Sequence, residues 1–424
     1  MERILRPITQ FSRETFASLN VRNYRLYVMG QGISLTGTWM QRIGQSWLVL
    51  ELTQSGAALG LVTAMQALPV LIFGPWGGVI ADRFSKRTLL LFTQASSGVL
   101  ALILSGLVAA QAVELWMVYV LAAILGFINA VDNPTRQSFV IEMVGNEHVR
   151  NAITLNSTVV NMARILGPAI AGALIASVGI AACFFVNGIS YLAVVVCLLL
   201  MKSSELYRTN PVQWVKGELR KGFRYIGSTP LLRDVLIMMA FVGAFTFEFQ
   251  ISLALIAKYS FQGTASAYAL LTSAMGIGAV IGGLISASWK NNAPKGLPKI
   301  AAGFGIAILL ASASPNIALA ALAMILVGVC SIMFTSLGNT ILQLESAPEM
   351  RSRVMAFWSV AFMGSTPIGG PIVGWIGEYV NPRWGLGIGG AAALAASLFG
   401  FFAMKKYASR NQPDELISPE LSVK

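Results

Sequence analysis

The sequence predicts an all-α polytopic membrane protein, with twelve transmembrane helices in two pseudo-symmetric six-helix bundles. Three observations carry this. Of 424 residues, 55% are hydrophobic and 11% charged, with a mean hydropathy of +0.69; soluble domains carry about 25% charged residues to cover their surface. Apolar runs of about 20 residues recur, the length that a bilayer core requires, and they are too continuously apolar for the alternating strands of a barrel. Two distant segments also repeat at nearly equal offsets. "GGVIADRFSK" at 77–86 aligns with "GGLISASWKN" at 282–291, and "GPAIAG" at 167–172 with "GPIVG" at 370–374. Both pairs fall in equivalent spans, as duplication of a six-span unit requires.

In chain order, residues 1–23 read as a cytoplasmic segment. Arg3, Arg6, Arg13 and Arg22 leave no apolar core for a cleaved signal, so the first span is expected to act as its own insertion signal, and residues 11–20 to form a short interfacial helix. The N-terminal bundle, 24–201, holds spans at 24–50, 57–81, 87–110, 115–141, 149–177 and 180–201. The linker 202–230 is basic and amphipathic: "VKGELRKGFRYI" sets Lys216, Arg220, Lys221 and Arg224 beside Phe223 and Tyr225, the pattern of a helix lying on a membrane surface. The C-terminal bundle, 231–404, holds spans at 231–258, 266–289, 298–313, 316–344, 353–377 and 383–404. A tail, 405–424, follows.

The basic residues set the expected orientation. Of the 30 Lys and Arg, Arg42, Arg136 and Arg164 fall inside spans, and Lys258 and Arg383 on the odd connections; the rest lie at the termini and the even connections. The positive-inside rule makes that side cytoplasmic, with both termini on it, in an inner (plasma) membrane. The net charge of +12 then reports topology and contact with anionic lipids, and nucleic acid is not an expected partner. A single histidine, His148, leaves no His-cluster metal site. Cys183, Cys197 and Cys330 all lie in apolar spans and read as packing residues. No metal or organic cofactor is expected.

Four ionisable residues crowd the connection between the second and third spans. With Gly78 they spell Gly-x-x-x-Asp-Arg-x-x-basic-basic as Gly78, Asp82, Arg83, Lys86 and Arg87. After an apolar span of this polarity, the pattern resembles the signature loop of the major facilitator superfamily; the glycine usual after Arg83 is absent. "RNYRLYVMGQGIS" (22–34), "DNPTRQSFV" (132–140) and "NAITLNSTVVNMARILGPAIAG" (151–172) extend the resemblance along nearly the whole chain, to the branch of enterobactin exporters and related multidrug-efflux carriers. Gly167, Pro168 and Gly172 resemble the antiporter motif Gly-x8-Gly-Pro-x-x-Gly-Gly, with Thr158 and Ala171 departing from it. The resemblance implies a monomeric secondary carrier with protons as coupling ion. It also implies a latch. Gly78 would let the second span approach its neighbour. Asp82 would accept bonds from the N-terminus of the eleventh span near Arg353, steadied by its basic neighbours.

Charges inside spans are costly and mark candidate sites. Arg42 lies about 25 Å beyond Arg25, and Glu248 about 22 Å beyond Arg233, at the helical rise. Their spans are equivalent in the repeat, so an Arg42–Glu248 pair across the bundles is geometrically open; the alternative is that each bonds within its own half. Asp132 and Arg136 share a helix face at i,i+4, and Arg136 is placed to satisfy carbonyls freed by Pro134. Arg164 precedes the Gly167-Pro168 kink and is expected to face a cavity, with an anionic solute or a carbonyl cluster as its partner. Gln31, Gln41, Gln45, Asn156, Asn161, Gln250 and Asn339 add hydrogen-bonding capacity, and Trp39, Trp47, Phe245, Phe247, Phe249 and Trp358 are candidates for an aromatic lining. Together they suit an amphipathic organic solute better than a bare ion.

"GLGIGG" at 385–390 mimics a dinucleotide-binding loop, but it opens an apolar span with no strand before it, so helix packing explains it. No Walker A, His-Glu-x-x-His or Gly-x-Ser-x-Gly sequence occurs. The leading expectation is proton-coupled efflux of a small amphipathic molecule, drug-like or siderophore-like. An uptake carrier of the same fold is the alternative. A membrane sensor lacks a soluble output domain, and an embedded enzyme lacks convergent catalytic groups.

Overall fold

A computed structural model describes residues 17–207, 218–288, 294–364 and 366–410. Arg3, Arg6, Arg13, Lys216, the stretch 289–293 and the tail beyond 410 lie outside the described residues. Among the described residues the chain forms helices and no strand. Ten helices are long and apolar enough to cross a membrane: α2 (Gly56–Arg83), α3 (Lys86–Ala109), α4 (Leu115–Gly145), α5 (Glu147–Ser177), α6 (Ile180–Leu199), α8 (Pro230–Ser260), α9 (Ala265–Ser288), α10 (Gly296–Ala313), α11 (Ile317–Leu344) and α14, whose apolar part is Pro382–Lys405 of Pro382–Arg410.

Two further segments complete twelve crossings. The first, α1 (Arg22–Thr53), is 32 residues long but carries Gln31, Gln41, Arg42 and Gln45. The eleventh, expected as one span over 353–377, is described as α12 (Arg351–Met363) and α13 (Thr366–Tyr379), on either side of residue 365, which lies outside the described residues. The seventh breaks: within α8, regular helix stops at Thr246 and resumes at Phe249. In a membrane, backbone can leave the helix only where protein or a cavity covers it, so this break marks the interior. The exterior is apolar and exposed, as Phe92, Phe185, Leu284, Leu322 and Phe402 illustrate.

Local signals set the boundaries. Ser55, Ser85 and Asn316 each cap the helix that follows, accepting a backbone N–H three residues on. Gly145, at φ +66°, splits what is otherwise one run of helix into α4 and α5; a side chain there would be strained. The linker helix α7 (Glu218–Ser228) turns Ile226 inward and leaves Arg220, Lys221 and Arg224 exposed. It rests on the C-terminal bundle, with Gly222 against Phe357 and the Tyr225 hydroxyl accepting from the Ala347 N–H. Ile226 and Tyr225 thus face the C-terminal bundle, while Phe223 stays exposed among the basic residues.

The two bundles meet along two helix pairs that the duplication interchanges. In one, α2 touches α13, where Gly56 and Gly60 face Gly374 and Gly370 backbone to backbone. In the other, α5 touches α9: Ser266 Oγ donates to the Gly172 carbonyl and Ser273 Oγ to that of Ile165, both at 3.2 Å. Small residues admit this approach where no hydrophobic force between helices operates. At the end carrying the 53–56 connection, Lys258 Nζ donates to the Leu50 carbonyl (2.6 Å), and the Tyr259 hydroxyl to that of Gln54 (2.9 Å). There too Glu378 Oε2 accepts from Ser55 Oγ (2.6 Å) and the Ala57 N–H (2.9 Å). The opposite end, which bears the basic residues, is different. An added Cβ at Gly74 or Gly78 of α2 would meet no atom within 4 Å. The bundles are clamped at one end and parted at the other.

Candidate functional site

Between the bundles lies a cavity of about 340 Å³, within the size range of small-molecule sites. Its two walls differ in chemistry. From the N-terminal bundle come Trp39 and Arg42 of α1 and Arg164 of α5; from the C-terminal bundle come Phe247, Phe249 and Gln250 at the break in α8, with Trp358 and Phe362 of α12. Trp358 and Phe362 stack with their planes 6° apart, and Phe247 meets Phe362 edge-on at 4.5 Å between centroids. The break in α8 and the helix α12 therefore present aromatic rings, and α1 and α5 present cations.

The cations share one ring. The Arg42 guanidinium carbon lies 4.6 Å from the Trp39 centroid and that of Arg164 5.1 Å, both in cation–π range. Arg42 and Trp39 sit at i,i+3 on one helix face. Arg164 arrives from α5 because Gly167 lets that helix close on α1: a Cβ there would fall 2.5 Å from Trp39 Cβ. The ion pairs among the described residues are Lys86–Glu142, Arg136–Asp132, Lys202–Glu205 and Arg233–Asp234; neither Arg42 nor Arg164 has a carboxylate within 4 Å.

The expected Arg42–Glu248 pair is thus absent. Glu248 is buried at the start of the resumed helix in α8, where its carboxylate faces Thr366 and Gly370 of α13. The equivalence of their spans puts both residues at similar depth, but the break in α8 turns Glu248 towards α13. One carboxylate oxygen, Oε1, is buried without a hydrogen-bond partner.

Asp132 and Arg136 do form their pair, in a buried network away from the cavity. Asp132 accepts from Thr93 Oγ1 (2.7 Å) and Gln94 Nε2 (2.8 Å) as well as from Arg136, which also donates to Gln31. Arg136 is therefore engaged by side chains, and the carbonyl freed by Pro134, that of Ala130, faces Gly77 of α2 instead.

The charged loop is divided between two tasks. Lys86 is buried and paired with Glu142 of α4 at 2.6 Å. Arg87 donates to the Leu198 and Leu199 carbonyls and to Ser203 Oγ, closing the C-terminus of α6. Neither steadies Asp82, contrary to expectation. Asp82 and Arg83 are exposed, and Asp82 bonds to nothing among the described residues. The glycine that permits close approach is Gly77, where a Cβ would fall 1.9 Å from the Ala130 carbonyl oxygen; Gly78, one residue on, points into open space. Of the other motif residues, Gly172 packs against Ala269 of α9, and Pro168 frees the Arg164 carbonyl, which lies against Gly276.

Of the expected aromatic lining, Trp39, Phe247, Phe249 and Trp358 reach the cavity and Trp47 does not; it is buried and donates to Glu51. Sequence reasoning missed Phe362 and Glu378. The spacing of Phe362 four residues after Trp358 was a usable signal; Glu378 acts across 323 positions, and no local pattern marks that.

Comparison with known proteins agrees with this architecture. A family model described as transmembrane secretion effector matches residues 13–423. An uncharacterized major-facilitator-type transporter, YfiS of Bacillus subtilis, is 27% identical over 58% of this chain. The staphyloferrin A transporter of Staphylococcus aureus is 32% identical over 38% of it. These alignments span 58% and 41% of those relatives' own lengths. The enterobactin exporter EntS of Shigella flexneri is 24% identical over 89% of this chain and 88% of its own. Among solved structures, a bacterial homologue of the human lysosomal transporter Spinster, inward-facing and unoccupied, superposes with a TM-score of 0.74 at 14% identity, covering 92% of this chain and 99% of that one.

Proposed function

Since the chain belongs to the transmembrane secretion effector family of major facilitator transporters, we propose that it exports a small amphipathic organic solute, siderophore-like or drug-like, across the inner membrane by alternating access coupled to proton entry. The observation that carries this reading is the mid-depth cavity between bundles that are clamped at one end and parted at the other. Excess Lys and Arg make the parted end cytoplasmic, so the cavity loads from inside. When that end closes, Asp82 docks on the N-terminus of α12, the charge arrangement that a helix dipole favours. Export rather than uptake is supported by EntS, the relative aligned along most of its length.

Glu248 is the proton carrier in this scheme. It sits where α8 breaks, beside the cavity and against α13, the helix that must move as the bundles rock. Proton coupling needs an acid whose proton affinity changes as its surroundings alternate between wet and dry. The test is flux of a panel of organic solutes in proteoliposomes with an imposed pH gradient. The wild type is expected to accumulate at least one solute uphill against proton flow. Glu248→Gln is expected to keep solute exchange and lose gradient-driven accumulation. Uphill flux with unchanged pH dependence in that variant overturns the role of Glu248; accumulation in the same direction as proton flow overturns export.

A further inference from the structure

We infer that Arg42 and Arg164 form a two-point anion receptor, and that the solute of this cavity is an aromatic organic anion carrying at least two negative charges. This deepens the transport reading and rests on it for the identity of the cavity as the solute site.

The argument starts from an electrostatic imbalance. Two guanidinium groups line one wall of a cavity deep inside a membrane protein, and no acidic residue is among the lining residues. Neither group has an ion-pair partner within 4 Å, and neither donates a hydrogen bond to the protein among the described residues. Arg164 Nε is buried with no partner at all. What the fold supplies is a single Trp39 ring for both cations. Sharing that ring, at 4.6 and 5.1 Å from its centroid, puts two like charges side by side, and like charges repel across a poorly hydrated site.

Intramembrane charge of this kind is retained where it pairs or binds. Elsewhere in the same bundle the chain does pair its cations, Arg136 with Asp132 and Lys86 with Glu142. The unpaired state of Arg42 and Arg164 is therefore particular to the cavity. Arginine presents planar forks of donors that match carboxylates and other oxyanions bidentately, and a dianion spanning both forks relieves their mutual repulsion as well.

The facing wall sets the rest of the solute. Phe247, Phe249, Trp358 and Phe362 form an aromatic surface on the C-terminal bundle. A solute with its charges on α1 and α5 and its rings on α8 and α12 touches both bundles at once, so its departure and arrival are felt by both. Gln250, Thr272 and Thr335 add neutral hydrogen-bonding groups around it. A cationic drug meets two like charges here and is disfavoured.

The test is equilibrium binding to the full-length protein in lipid nanodiscs, with no gradient, by titration calorimetry. The probes are 2,6-naphthalenedicarboxylate, a dianion, and 2,6-naphthalenedicarboxamide, its neutral counterpart. The dianion is expected to bind about tenfold or more tightly than the amide, as charge-assisted bonds to two arginines imply. Arg42→Gln and Arg164→Gln should each weaken dianion binding about tenfold and leave the amide within about twofold. Arg42→Lys should keep most of the preference. The dianion should raise the unfolding temperature of the wild type and not of the Arg42→Gln/Arg164→Gln protein, whose unliganded unfolding temperature reports its folding. Equal binding of the two probes, no saturable dianion binding, or a preference that survives the double substitution overturns the inference. Charge-blind binding with flux intact overturns it alone; charge-selective binding with no flux of any solute overturns the transport reading alone.

Discussion

A single carboxylate, Asp132, shows how this chain separates structural charge from working charge. It is buried, and three side chains determine its state: Thr93, Gln94 and Arg136. Every lone pair direction has a donor, so Asp132 holds α3, α4 and, through Gln31, α1 in register. Glu248, equally buried, has one oxygen with no donor; it is the acid proposed above as the proton carrier. Arg136→Met should therefore act on stability. Removing one member of a buried pair costs about 3–5 kcal/mol, and Arg136 is partly exposed, so the lower end is expected. The Asp132→Asn/Arg136→Met protein should recover part of that loss. Thermal unfolding in nanodiscs measures both; an Arg136→Met protein as stable as the wild type would show that the network holds nothing together.

For the helices, the decisive contacts are glycine against backbone. Gly77 of α2 lies against the Ala130 carbonyl that Pro134 leaves without its usual helical donor. A methyl group there would meet backbone, which cannot step aside. Gly77→Ala is expected to destabilise the N-terminal bundle by about 1–3 kcal/mol, the range for overpacking, whereas Gly78→Ala, with no atom near its added carbon, should leave stability unchanged. Denaturation of the two variants side by side checks this; equal losses would mean that α2 does not sit against α4 as described. The same reasoning explains why Gly78 reads as a packing residue in the sequence and is not one here. Two adjacent glycines face different directions on a helix, and the structure assigns the close approach to the first.

At the scale of the whole molecule, α2 and α13 pack together with a carboxylate at each end, and the proposed transport cycle makes them one lever. Glu378, at the end of α13, caps the start of α2; Asp82, at the end of α2, is exposed in this arrangement. In the proposed transport cycle, bonds at the two ends belong to opposite tilts of the bundles. A cysteine at Gly74, on the parted face, reports the tilt when Cys183, Cys197 and Cys330 are replaced by serine. Glu378→Gln should lower the labelling rate of Gly74→Cys by weakening the existing clamp, and Asp82→Asn should raise it by weakening the alternative one, with slower turnover. A clamp of this kind, partly exposed and charge-assisted, is worth about 1–3 kcal/mol, enough to shift the balance of states about tenfold. Labelling unchanged in both variants would remove these residues from the gating cycle.

By itself the sequence determined the twelve crossings, the duplication and the presence of charge within the spans. These follow from bilayer thickness, offset repeats and the cost of burying ions, which are one-dimensional constraints. It also marked the pair Asp132–Arg136, because four residues is one turn of helix. It did not determine which carboxylate meets which cation across bundles. Arg42 and Glu248 have matching depth, yet the break after Thr246 turns Glu248 to α13, and Arg42 turns to Trp39 and Arg164. Depth along a helix can be read from residue counts, but rotation about the helix axis and the position of a break depend on what packs alongside. Only the tertiary structure, by bringing α5 onto α1 through Gly167 and opening α8 towards α13, placed two cations on one ring and opposed them to an aromatic wall.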